Sequence, residues 1–257
     1  MRIVVLVKQV PDTYGDRDLV LETGLVDRSG EAVVDEIGER AVEAALTIQA
    51  GLPGTTVTAL TMGPEGAVDA LRKVLAMGAD DAVHVVDDGL VGADLTLTAE
   101  VLAEAIRRQG ADLVIAGNVS TDGAGGVMAA MLAEHLGLAQ VSNLSAVRVE
   151  GGRVVGSRVT DGGTATVEAA LPAVASITEA MPDPRFPSFK GIMAAKKKPV
   201  SRVSAAELGA DLPGEHSARA IVLAAAARPP RSAGVTITDE GDGGRRLAEW
   251  LIAQKLA

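Results

Sequence analysis

Residues Ala111–Met128 read ADLVIAGNVSTDGAGGVM. Leu113, Val114, Ile115 and Ala116 form a short continuous apolar run, the pattern of a strand buried on both faces. Gly117 and Asn118 end it. A loop with Val119, Ser120, Thr121, Asp122, Gly123, Ala124, Gly125, Gly126 and Val127 follows, and Met128–Leu138 then has helical spacing that stops at Gly137. Strand, glycine-rich loop and helix together can make an anion site: glycines let backbone N–H groups approach an oxyanion, and a helix N-terminus adds positive potential. Ser120, Thr121 and Asp122 are also good N-cap types, so a well-capped helix after a tight turn is the competing reading. Neither G-x-x-x-x-G-K-[ST] nor G-x-G-x-x-G occurs, because Met128 stands where the third glycine of the second pattern would fall. A nucleotide bound here is held by another scheme.

Outward from this stretch, the chain alternates. Ile3–Val7, Thr56–Thr61 and Ala82–Val86 read as strands. Between them come helices from Asp35 to about Ala50, from about Ala67 to Met77, and from Asp94 to Gln109. Asp35 and Asp94 are placed as N-caps, and Gly78 and Gly110 as helix stops. A β-α-β-α-β-α-β-α series implies an α/β fold with a doubly wound, mostly parallel sheet. Ligands in such sheets sit beyond the carboxyl ends of the strands, so the ends at Val7, Thr61 and Gly117 are expected on one rim.

Residues 13–34 are polar and irregular, with a small hairpin expected from Leu19–Leu21 and Leu25–Asp27. A loop this long inside a compact domain is often functional. After Leu138, Val141–Glu150 and Arg153–Val159 read as a hairpin about Gly151-Gly152. Thr164–Ala169 and Ala173–Ile177 are expected as further, antiparallel extensions. Met181–Pro199, MPDPRFPSFKGIMAAKKKP, holds four prolines, both phenylalanines and three consecutive lysines. Phe186, Phe189, Ile192 and Met193 either anchor a partner or fold back on the core; Lys196, Lys197 and Lys198 read as a solvated run or as charges steering an acidic partner. Ser204-Ala-Ala-Glu207 is a capping box. Residues 209–241 look linker-like, and Gly244–Leu256 forms an amphipathic helix that packs on its own domain or on another chain. Two domains are expected: 1–200, including the segment 184–198, and a C-terminal arm, 201–257.

Composition excludes several functions. The net charge is −10, which disfavours nonspecific nucleic-acid binding. There is no cysteine, hence no disulfide, thiolate or cysteine metal site. Only 2% of residues are aromatic while 47% are apolar, so Val, Ala, Leu and Ile must build the core. No run approaches membrane-spanning length and the N-terminus lacks a signal pattern, so a cytoplasmic protein without membrane insertion is the default expectation. His84, His135 and His216 have no metal-ligand spacing and read as structural. No G-x-S-x-G elbow is present. Binding is favoured over catalysis, and no metal or catalytic residue is assigned.

The chain resembles the β subunit of electron transfer flavoprotein over nearly its whole length. The resemblance rests on LVKQVPDT (Leu6–Thr13), DEIGERAVEAAL (Asp35–Leu46), GPEGAVDALRKVLAMGAD (Gly63–Asp80), ADLVIAGNVSTDG (Ala111–Gly123), DGG (Asp161–Gly163), LPAV (Leu171–Val174) and PRFPSFKGIMAAKKK (Pro184–Lys198). It implies a bacterial electron-carrier subunit with a sheet like that of the adenine nucleotide alpha hydrolases. It also implies a heterodimer with an α subunit that carries most of a redox FAD, and AMP on this chain. By the resemblance, AMP contacts fall at Leu6, Asp35, Glu36, Ile37, Gly38, Met62 and Gly117–Met128. Thr13 and Ile37 fall near the flavin, and the C-terminal arm packs on the α subunit. Pro184–Lys198 is similar to the loop that docks on acyl-CoA dehydrogenases, with Phe189 as its apolar anchor and Ile192 and Met193 beside it. Electrons would pass onward through electron transfer flavoprotein–quinone oxidoreductase to the respiratory chain. Two alternatives are an electron-bifurcating relative with a second FAD in place of AMP, and an ATP-binding stress-type domain.

Overall fold

The computed structural model describes residues 1–15, 17–209, 218–231 and 234–256; His216 lies outside them. In chain order the first half comprises β1 (Arg2–Leu6), β2 (Gln9–Pro11), β3 (Leu19–Val20), β4 (Leu25–Val26), β5 (Ala32–Val34), α1 (Glu36–Gly51), β6 (Thr56–Met62), α2 (Val68–Met77), β7 (Asp81–Val85), α3 (Leu95–Gln109), β8 (Leu113–Gly117) and α4 (Met128–Leu136). The second half comprises β9 (Ala139–Glu150), β10 (Arg153–Thr160), β11 (Gly163–Ala170), β12 (Ala173–Ile177), α5 (Phe189–Ala195), β13 (Val200–Val203) and α6 (Gly243–Ala253). Two units follow from the internal packing, Met1–Ala225 and Ala226–Ala257.

The larger unit is built on one sheet with strand order β11-β10-β9-β12-β8-β1-β6-β7-β13. From β9 to β13 every neighbouring pair is parallel; β10 and β11 add antiparallel strands at one side. The apolar runs read from the sequence explain the parallel part. Leu113, Val114 and Ile115 are fully buried, as are Ile3, Val5 and Leu60. Strands covered on both faces need no polar alternation. On one face, Ile3, Val5 and Ile115 pack with Ala41, Val42 and Leu46 of α1 and Leu71, Val74 and Leu75 of α2. On the other, Val4, Leu60 and Val114 pack with Val101 and Ile106 of α3 and Leu132 of α4.

Helix ends follow local chemistry. Asp94 accepts from the Leu97 amide at 2.9 Å and opens α3. Gly110 and Gly137 close α3 and α4 in the left-handed region. Gly151 and Gly152 both have positive φ, which fits the two-residue turn joining β9 to β10. The small hairpin expected in residues 13–34 is present as β3 paired with β4, and β2 pairs with β5 beside it.

One expectation is corrected. Ala173–Ile177 is not an antiparallel extension: β12 lies between β8 and β9 and is parallel to both. Its five residues are all buried, so only a central place covers them on both faces. In the smaller unit, Asp239 accepts from the amides of Gly241 and Gly243 at 2.8 Å each, just ahead of α6.

Candidate functional site

The strand order decides where the site lies. From β1 the chain passes to β6 and β7 on one side of β1, then returns through α3 to β8 on the other side. The order therefore reverses between β1 and β8. Beyond the carboxyl ends of two such strands the connections diverge and leave a crevice. Lys8 follows β1 and Asn118 follows β8, so both line it.

Leu6 and Met62 are partly covered at the ends of β1 and β6. Asp35, Ile37 and Gly38 open α1, and Ile37 lies over Gly117, where an added Cβ would come within 2.7 Å of Cγ2 of Ile37. The Asp35 carboxylate does not cap its own helix. It turns across the crevice and accepts from the Thr121 amide at 3.0 Å. The loop 118–127 likewise does not cap α4: Val127 holds the N-cap position without a side-chain bond. Ser120 and Asp122 turn instead to Lys8, whose Nζ lies 3.4 Å from Ser120 Oγ and 2.6 Å from an Asp122 oxygen. The capped-helix reading of the loop is thereby replaced by a loop tied to the strand and helix across from it.

Three cations converge here. Arg28 donates to the second Asp122 oxygen at 3.3 Å and to the Gln9 carbonyl at 2.9 Å. Arg17 donates to the Thr121 carbonyl. Lys8, Arg17 and Arg28 were not singled out by sequence; the signal for the two arginines was the long polar excursion 13–34, which carries both. The Asp122 side chain is only 3% exposed. Burial pushes its pKa up, but the hydrogen bond and charge of Lys8 outweigh this and hold it below the ordinary carboxylate value. For Asp35, burial dominates and the pKa is raised, with the Thr121 amide opposing.

The crevice also holds unsatisfied polar atoms. Asp35 Oδ1, Asn118 Oδ1 and Thr121 Oγ1 are buried without a hydrogen-bond partner. A buried acceptor or hydroxyl left alone costs roughly 1–3 kcal/mol, and several at one place indicate a missing polar partner. The loop itself is shaped for close approach. An added Cβ at Gly125 would lie 2.9 Å from Leu95 Cδ1, and Gly126 has a φ of +68°. Gly123 to Val127 are exposed, while Asn118, Ser120, Thr121, Asp122 and Met128 are half-buried. Val119 is exposed. Thr13 stands at the margin of α1, its Oγ1 3.5 Å from Glu36.

Phe189, Ile192 and Met193 form a second locus, on α5. They are 80%, 46% and 49% exposed, and Phe186 is 95% exposed. They do not fold back on the core. Gly191 lets α5 lie against α2, because a Cβ there would run into the Ala76 carbonyl. Lys198 is not part of a merely solvated run: its ammonium donates to the carbonyls of Leu75, Gly78 and Ala79 at the end of α2. Among the described residues no group of His, Asp and Glu could hold a metal ion, and no helix is long and apolar enough to cross a membrane.

Comparison with known proteins shows the family of the chain. The family profile described as "Electron transfer flavoprotein domain" matches residues 23–208. The chain belongs to the electron transfer flavoprotein family. It is 51% identical to the electron transfer flavoprotein subunit beta of Mycobacterium leprae, covering 99% of this chain and 98% of that protein. It is 35% identical to the protein of the same name from Syntrophomonas wolfei, over 98% and 96% of the two chains. With that of Bacillus subtilis it shares 33% identity over 82% of each. The similarity to beta subunits thus spans the crevice, the loop and the α5 segment alike.

Proposed function

We propose that this chain is the β subunit of a heterodimeric electron carrier, with AMP as a structural ligand in the β1/β8 crevice and an FAD shared with an α subunit. The observation that carries the AMP reading is the convergence of Asp35 Oδ1, Asn118 Oδ1 and Thr121 Oγ1, buried and unpartnered, beside a glycine-containing loop and three cations. A nucleotide offers what these atoms lack: hydroxyl and amino donors for Asp35 and Asn118, and acceptors for Thr121. Its phosphate suits the backbone amides of the loop and the positive end of α1. Leu6, Met62 and Ile37 supply apolar cover. Thr13 and Ile37 face the flavin side.

The FAD, when bound, supplies the one- and two-electron chemistry. This chain orients the flavin's neighbourhood and presents the complex to its donor. Its proposed part is to bind and present the flavin rather than to supply an acid, base or nucleophile. The exposed α5 segment, with Phe189 as anchor and Ile192 and Met193 beside it, docks on acyl-CoA-type dehydrogenases, and electrons leave toward electron transfer flavoprotein–quinone oxidoreductase. The C-terminal arm, with Leu247, Trp250 and Leu251 at helical spacing, packs on the α subunit.

A nucleotide census of the co-purified heterodimer tests this. The complex is denatured and its released nucleotides are separated by chromatography. One FAD and one AMP per heterodimer is the expected result. Two FAD without AMP would move the chain to the bifurcating class. ATP on the isolated chain, with no flavin in any complex, would overturn the electron-carrier reading.

A further inference from the structure

The segment carrying Phe186 and Phe189 is exposed at its tip and tied down at both ends. At the far end, Arg72 of α2 donates to the Ala195 and Lys198 carbonyls at 2.8 and 2.9 Å, and Lys198 returns the tie to α2. At the near end the ties come from α1. Arg40 donates to the Met181 carbonyl and to Asp183 at 2.6 Å. Glu43, one turn further on, accepts from the Arg185 backbone amide at 3.0 Å and from its guanidinium at 2.7 and 2.8 Å. Three bonds on one carboxylate fix both the main chain and the side chain of the residue just before Phe186. Burial pushes the Glu43 pKa up, but the Arg185 bonds outweigh it and keep the group ionised. The Glu43 side chain is 15% exposed against 44% for Arg185, so the helix side of the pair is the sheltered one.

We infer that Glu43 is a positioning residue for donor docking: its three-bond hold on Arg185 sets the direction in which Phe186 and Phe189 leave the protein surface. The inference rests on the docking reading of α5 above. An exposed apolar anchor binds a partner well only if its presentation is ordered beforehand, because ordering it on contact would cost binding free energy. The prolines at 182, 184 and 187 restrict the backbone. None of them specifies a direction relative to α1. Glu43 does, since α1 is seated on the sheet by Ala41, Val42 and Leu46.

The test uses the flavin-loaded heterodimer and a purified acyl-CoA dehydrogenase with its acyl-CoA substrate, following bleaching of the carrier's flavin. In Glu43→Gln, KM for the carrier should rise roughly fivefold, the change expected from losing a partly exposed ion pair, with kcat unchanged. Arg185→Gln should do the same. The double variant Glu43→Gln/Arg185→Gln should raise KM no further than either single change, a non-additivity that general loosening of the fold would not produce. Phe189→Ala is the control. If Phe189→Ala raises KM and Glu43→Gln does not, this inference falls and the docking reading stands. If neither raises KM, the docking reading falls and takes the inference with it. Additive effects of the two single changes would also overturn it.

Discussion

Lys8 and Asp122 form a 2.6 Å ion pair across the point where the strand order reverses. Their backbones leave the ends of β1 and β8, and the pair ties the 118–127 loop to the first strand. Asp122 has a lowered pKa in the folded state: burial opposes ionisation, and Lys8 more than offsets it. Its stabilising contribution is therefore complete above the unfolded carboxylate value of about 3.9 and is lost as pH falls through the lower folded value. Asp122→Asn should cost about 1–2 kcal/mol at neutral pH, measured by urea denaturation of the heterodimer. The gap from the parent should narrow in strong acid. A gap that is the same at pH 7 and near pH 3 would exclude the ion pair as its source.

Asp35 makes the opposite prediction. Its pKa is raised by burial, so the folded state holds the proton more tightly than the unfolded one. Ionisation then works against folding as pH rises from the unfolded value through the raised folded one. Asp35→Asn keeps an acceptor for the Thr121 amide and removes the charge. Its melting temperature should exceed the parent's at neutral pH, with the advantage shrinking as the solution is acidified. A lower melting temperature at neutral pH, with the deficit vanishing in acid, would mean that the carboxylate is needed as an anion.

Gly117 meets Ile37 closely: an added Cβ would lie 2.7 and 2.8 Å from its two γ carbons. Gly117→Ala should cost about 1–3 kcal/mol by overpacking and should weaken nucleotide retention. Ile37→Ala removes both γ carbons. The double variant should therefore cost clearly less than the two single changes added together, and strict additivity in denaturant titrations would refute the clash.

The three consecutive lysines are predicted to be unequal. Lys198 donates to three carbonyls at the C-terminal end of α2, where a cation also meets the negative end of the helix dipole. Lys198→Met should lower stability by about 1–2 kcal/mol. Lys197→Met, at an exposed position, should leave the melting temperature unchanged. Equal effects of the two substitutions would show that the carbonyl contacts carry no stability.

The strands and helices of this protein follow from local signals. Leu113–Ala116 announces a two-sided buried strand by its unbroken apolar run, Asp94 and Gly110 bound a helix by capping chemistry, and Gly151-Gly152 makes a hairpin because two residues must take positive φ. The Ser204–Glu207 capping box is likewise present, with the Glu207 carboxylate accepting from Ser204 N and Oγ at 2.8 and 2.9 Å. Such features depend on neighbours a few residues away, and the sequence displays those neighbours directly. Partners distant along the chain are another matter. Lys8 and Asp122 are 114 residues apart and Glu43 and Arg185 are 142 apart. Asp35 and Ser120 have the chemistry of helix caps, and only the crevice, with Thr121 N and Lys8 in reach, turns them to other partners. The same holds for β12, whose apolar run is compatible with several places in the sheet until burial on both faces selects the one between β8 and β9. Strand order is set by the summed burial of the whole chain, and that sum, which no single window of sequence contains, determines which charges meet.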